Sequence, residues 1–288
     1  MIHLALLLHP AQTLAWDAWT IHPSTVIGLT VLGWLYFRRA RDAGGTGPST
    51  GQRVAFVSGL VLLFLILNGP LHDLSDFYLF SGHMVQHLIM ELIVPPLLIA
   101  GTPGWMLRPA LDWPVVGWLA RRITTGAMAF AIFNVTLAAW HIPALYNTAL
   151  LHHNVHILQH VTFLVASVLM WWPFLSPLPE LPRLSYPAQM LYCFVMTLPM
   201  SVVAIYIAMA DTVLYPLYAS SPRIWGIGPK ADQLIGGLIM WVPGGLFFYG
   251  VMTVVFFRWQ REGKGGDGVA DAQLRPAAAP LTPAAQGH

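Results

Sequence analysis

Two histidine pairs with i, i+4 spacing, His83/His87 and His156/His160, are the residues of this chain whose type and spacing could do chemistry. On an α-helix that spacing projects both imidazoles from one face. Imidazole is the commonest protein metal ligand. Both pairs open strongly apolar segments, and an ionisable side chain kept at or inside a bilayer is expensive, so its default reading is functional.

The first pair lies in HMVQHLIMELIVPPLL, which adds Glu91 four residues after His87. At 1.5 Å per residue the stripe His83, His87, Glu91 descends about 12 Å from the outer surface. A carboxylate at that depth is expected to be neutral, paired or close to a cation. Taken singly, each member reads as an interfacial polar residue or an interhelical hydrogen-bonding group. Taken together they read as a site. The second pair comes from LHHNVHILQH, with Gln159 beside it; His152 and His153 read as loop residues. His141, in AWHIPALY, closes an apolar run where Pro143 makes continuation of the helix unfavourable. It is either the contribution of a third helix or an interfacial cap.

Two helices offering histidine pairs at comparable depth could hold copper or another imidazole-preferring metal. They could equally supply axial ligands to a haem. Met196 and Met200 stand one turn apart, and Met84 adjoins His83. Thioether favours Cu(I), although methionine in an apolar helix usually packs. Asp73, Asp76, Asp211 and Asp232 read as solvated loop charges, with attraction of a cation into the mouth as the alternative.

The elements that position these residues follow from composition. Of 288 residues, 56% are hydrophobic and 9% charged, against roughly a quarter charged in an ordinary soluble domain. Seven apolar segments have the character of transmembrane helices: 24–37 extended toward 16, then 54–71, 83–100, 123–140, 155–172, 187–209 and 233–257. The expected fold is therefore an all-α membrane bundle of about seven helices. Residues 1–15 read as an uncleaved extracytoplasmic arm, 16–258 as the membrane domain, and 259–288, rich in Ala, Pro and Gly, as a disordered tail.

Placing loops on alternate sides puts twelve of the fourteen Lys and Arg on one side and leaves Arg223 and Lys230 on the other. The positive-inside rule then sets the N-terminus outside and the C-terminus in the cytoplasm. Every histidine but His288 falls in or near the outer half. The basic residues are topology signals and not a nucleic-acid footprint. Cys193 is the single cysteine, so no CxxC motif exists and a soft metal must rely on His and Met. No P-loop, dinucleotide fingerprint, nucleophile elbow or HExxH motif occurs, and no repeat suggests an inverted-repeat transporter. In the last span, Gly236–Gly237 and Gly244–Gly245 flank Pro243 and point to close helix contact or a kink.

HMVQHLIMELIVPPLLIAGTP, then WHIPALYNTAL, the HxxxH of the fifth span and DQLIGGLIMWVPGG resemble, in order and spacing, the polytopic CtaG family of cytochrome c oxidase assembly proteins. This family is distinct from the single-span copper chaperone of the same name. The resemblance runs from about residue 16 to 258. It implies a non-enzymatic, multi-pass protein of the bacterial plasma membrane, needed for active haem-copper oxidase through delivery or insertion of copper. The motif residues correspond to His83, His87, His141, His156 and His160, with Glu91. The partners implied are oxidase subunits, a periplasmic copper carrier and membrane lipid, with no nucleic acid. The rival readings are a haem-binding membrane oxidoreductase and a metal-free assembly scaffold.

Overall fold

The computed structural model describes residues 19–43 and 46–274, with side chains described to residue 262. The arm at 1–15, with His3 and His9, and residues 275–288 of the tail lie outside the described residues. Described residues form helices and loops only, with no strand. In chain order the helices are α1 (Pro23–Asp42), α2 (Thr50–Asn68), α3 (Pro70–Asp73), α4 (Phe80–Leu88), α5 (Val94–Gly101), α6 (Gly104–Leu111) and α7 (Pro114–Ile123). They continue with α8 (Gly126–His141), α9 (Pro143–Leu151), α10 (His153–Leu175), α11 (Tyr186–Met209), α12 (Pro216–Ser220) and α13 (Pro229–Leu274). Two π-helical turns, Leu74–Tyr78 and Ile89–Ile93, precede α4 and join α4 to α5.

Five stretches are long and apolar enough to cross a membrane: Thr50–Asn68, Phe80–Gly101, His153–Leu175, Tyr186–Met209 and Pro229–Glu262. A sixth arises if α7 and α8, bent by 80° at their junction, count as one span. The expected spans built on α1 and α8 do not reach that apolar length unaided. Four charges, Arg38, Arg39, Arg41 and Asp42, end α1. Residues 19–22 are not helical, so α1 does not extend toward residue 16 as expected. Helix α8 has 16 residues. Helix α13 continues from the last span to Leu274, into the region read as a tail.

The bundle has two chemically different ends. Arg108 pairs with Glu180 at 2.8 Å, and Tyr186 donates to Glu262 at 2.5 Å, so the loops rich in arginine meet at one end. The histidines meet at the other. Helix α1 joins both ends: the backbone N–H of His22 donates to Asn68 Oδ1 at 2.8 Å, and the Tyr36 hydroxyl donates to Gly101 O at 3.0 Å. Tyr36 also stacks on Phe56 with ring centroids 3.9 Å apart.

Small residues set the closest helix contacts. A Cβ on Gly101 would lie 2.5 Å from the backbone nitrogen of Phe56, so α5 and α2 touch main chain to main chain there. On α13, a Cβ at Gly236 would meet the Phe80 ring at 2.4 Å and one at Gly237 would meet Ala208 at 2.9 Å. The expectation of close contact holds at this first glycine pair, while Pro243 lies within a helix that continues on both sides.

Candidate metal centre

Three local devices hold the His83 stripe in place. The first is an N-cap supplied from far along the chain: the Asp232 carboxylate accepts from the backbone N–H of Phe80 at 2.7 Å and of Ser81 at 3.0 Å. A carboxylate at that position satisfies orphan donors and opposes the helix dipole. Asp232 is only 2% exposed, so its reading as a solvated loop charge is corrected: it is a structural cap.

The second device follows from Pro95 and Pro96. Neither proline has an N–H to give to the carbonyl four residues earlier, so the backbone opens into the π turn Ile89–Ile93. The freed carbonyl of Glu91 accepts from Trp171 Nε1 at 3.0 Å, which ties α10 to the stripe at the depth of its carboxylate. The third is Gln86, fully buried, whose amide nitrogen donates to Ile66 O at 2.6 Å and to His72 Nδ1 at 3.1 Å. Because that nitrogen must donate to a carbonyl, His72 Nδ1 is an acceptor and its Nε2 carries the proton.

Asp76, read from the sequence as a solvated loop charge with attraction of a cation as the alternative, lies at the centre of the cluster. Its carboxylate, on the π turn before α4, lies 3.3 Å from His156 Nδ1, 3.4 Å from His72 Nε2 and 4.0 Å from His83 Nδ1. Asp76 is 8% exposed and is no solvated loop charge. The available signal was His72 to Asp76, also i, i+4, in HDLSD. Burial pushes the Asp76 carboxyl up to about 6 and holds the His72 imidazole down at about 4. At neutral pH the Asp76 carboxylate is consequently anionic and faces a neutral His72 ring.

The second histidine pair joins this centre. His156 Nε2 and His160 Nε2 are 3.2 Å apart, and the His160 ring stands 5.4 Å from His87 and 6.2 Å from His72. His22, not singled out before, packs edge-on against His72 at 4.6 Å and beside His153 at 5.7 Å. An open pocket of about 260 Å³ leads to the cluster and is lined by His22, His72, Asp76, His153, His156 and His160. His152 caps the start of α10, and His153 belongs to the rim of the mouth.

Deeper along α4, His87 Nδ1 meets Glu91 Oε1 at 3.2 Å, so the buried carboxylate is paired. His141 ends α8 just before Pro143, as the sequence indicates. Its Nδ1 donates to Leu137 O at 2.7 Å. It sits with His87 and Glu91 around an inner cavity and not in the Asp76 cluster. The six expected site residues are thus distributed over two adjoining layers, with His83 stacked on His87 at 4.3 Å between them.

Both ring nitrogens of His83, and Nε2 of His87 and His141, are buried without a hydrogen-bond partner. Buried polar atoms are seldom left unpaired. Among the described residues no group of three or more His, Cys, Asp and Glu side chains is placed so that it could hold a metal ion. Imidazole and carboxylate are donor types that late transition metals accept.

Five or six helices long and apolar enough to cross a membrane, with an imidazole–carboxylate cluster at one end of the bundle, give the chain the architecture of a multi-pass membrane protein. The chain belongs to the family of cytochrome c oxidase caa3 assembly factors, whose model matches residues 31–262. It is also similar to uncharacterised proteins of Mycobacterium leprae, 26% identical over 83% of this chain, and of Mycobacterium bovis and Mycobacterium tuberculosis, each 26% identical over 78%. The chain spans 36–39% of the length of these relatives. No solved structure matches.

Proposed function

We propose that this cytochrome c oxidase assembly factor acts without enzymatic turnover, by receiving copper at the Asp76 cluster and passing it to a nascent oxidase subunit. The observation that carries the reading is the convergence of His72, His83 and His156 on one buried carboxylate at the end of an open pocket. An anion draws the cation in, and neutral imidazoles bind it without adding charge that would be costly at a membrane boundary. Ligands drawn from separate helices can be exchanged one at a time. A periplasmic copper carrier is the donor, and the oxidase subunit is the acceptor.

The protein lies in the bacterial plasma membrane, with α1 and α8 completing seven passes and the histidine end facing outward. The distribution of arginines, gathered at the opposite end, supports this orientation. Reporter fusions after residue 262 and in the loop at 210–215 test it: a cytoplasmic signal at the second position overturns it. Haem bound between histidines of different helices is the rival reading, and a Soret band in the purified protein would favour it over copper.

The test is copper content of the oxidase purified from cells carrying His83→Ala/His87→Ala or Asp76→Asn, with the assembly factor quantified in the membrane. Copper-poor oxidase at normal assembly-factor levels is the expected result. Fully loaded oxidase in both variants overturns the proposal, and normal oxidase after loss of all five motif histidines establishes the metal-free scaffold.

A further inference from the structure

Beneath the outer cluster lies a small cavity of about 20 Å³, bordered by Met84, His87, Glu91, His141, Met200 and Met240. That space suits one water molecule or one ion. Its two imidazoles are pre-set as ligands. His141 must carry its proton on Nδ1, because that atom donates to the Leu137 carbonyl, so its Nε2 presents a bare lone pair. His87 turns its Nδ1 to Glu91, the carboxylate–histidine arrangement that orients metal-bound imidazoles from behind. Both Nε2 atoms are buried with no partner.

The sulfur side is also arranged. A Cβ at Gly244 would lie 3.0 Å from Met200 Cε and 3.1 Å from its Sδ, so the glycine on α13 leaves room for the thioether at the cavity wall. Met84 and Met240 are 1% and 2% exposed and complete that wall. Thioether with imidazole is a donor set for Cu(I) and a poor one for hard divalent ions. His83, stacked on His87 and with its ring 6.2 Å from His156, spans the interval between this cavity and the outer cluster.

We infer that the cavity between His87, His141 and Met200 is a second, inner binding site for Cu(I), reached from the Asp76 cluster through His83. The inference rests on the copper-handling reading and adds to it a sulfur-containing station within the membrane bundle.

The experiment uses the full chain in detergent, loaded anaerobically with Cu(I), and reads copper stoichiometry together with X-ray absorption at the copper edge. Wild type is expected to bind two ions, with sulfur in the coordination shell of one. Met200→Leu and Met84→Leu, separately and together, are near volume-conserving. The double variant is expected to lose the sulfur signal and to weaken the second equivalent by about tenfold or more. Asp76→Asn is expected to weaken the outer equivalent and keep the sulfur signal. A single copper bound only by nitrogen and oxygen, unchanged in the methionine variants, overturns the inner site and leaves the outer one standing. No copper bound at all overturns both.

Discussion

The Asp76 carboxylate stands 3.3 Å from Nδ1 of His156, a ring eighty positions later in the chain. The contact joins the π turn before α4 to the first turn of α10. With His83 at 4.0 Å, it brings one member of each histidine pair to a shared carboxylate.

Removing that anion while keeping its shape isolates its contribution. Asp76→Asn is expected to reduce Cu(I) affinity by about 10–100-fold, the range found when a partner of metal-binding histidines is lost. Competition with a Cu(I) chelator checks it, and unchanged affinity would show that the carboxylate plays no part in holding the ion.

The same substitution alters the response to acid. Asp76, raised to about 6, takes up a proton in the folded protein before it does in the unfolded chain, so its contribution to stability rises as pH falls from 6 toward 4. His72, lowered to about 4, has the opposite sign: its neutral form is favoured in the fold, and stability is lost as pH falls from 6.5 toward 4. The two effects oppose one another in the wild type. Asp76→Asn leaves His72 uncompensated, so thermal unfolding in detergent should drop more steeply between pH 7 and 4.5 than in the wild type. Equal slopes count against this pairing.

Trp171→Phe keeps an aromatic side chain, though a smaller one, and deletes the donor to the Glu91 carbonyl. A buried carbonyl left unpaired costs about 1–3 kcal/mol. A lowered unfolding temperature is expected, with copper affinity at the outer cluster preserved. Unaltered stability would mean that the π turn satisfies this carbonyl in another way.

Gly101→Ala tests the tightest backbone approach. The added Cβ would fall 2.5 Å from Phe56 N, and main chain cannot yield as a flexible side chain can. Overpacking of this kind costs about 1–3 kcal/mol. Gly250, where a Cβ meets nothing within 4 Å, is the control: Gly250→Ala should match or exceed wild-type stability, since alanine is the better helix former.

Helical class, the apolar character of the helices and the one-face grouping of His83, His87 and Glu91 and of His156 and His160 are legible in the residues alone, because apolar length and i, i+4 spacing are local properties. The count of spans is less so. Arg38 to Asp42 shorten the apolar part of α1, and the 80° bend between α7 and α8 arises at a junction whose angle no periodicity encodes.

Asp76 and Asp232 mark the boundary most clearly. In the sequence both are carboxylates in polar loops, where solvation is the ordinary state. Whether a loop carboxylate meets water, a helix N-terminus or three imidazoles depends on which distant segments pack over it. Here α13 brings Asp232 to α4, while α10 brings His156 to Asp76. The division of the histidines into an outer cluster and an inner cavity has the same origin. Spacing along one helix sets the depth of His83, His87 and Glu91, but the neighbours at each depth, Asp76 above and His141 with Met200 below, are chosen by helix packing.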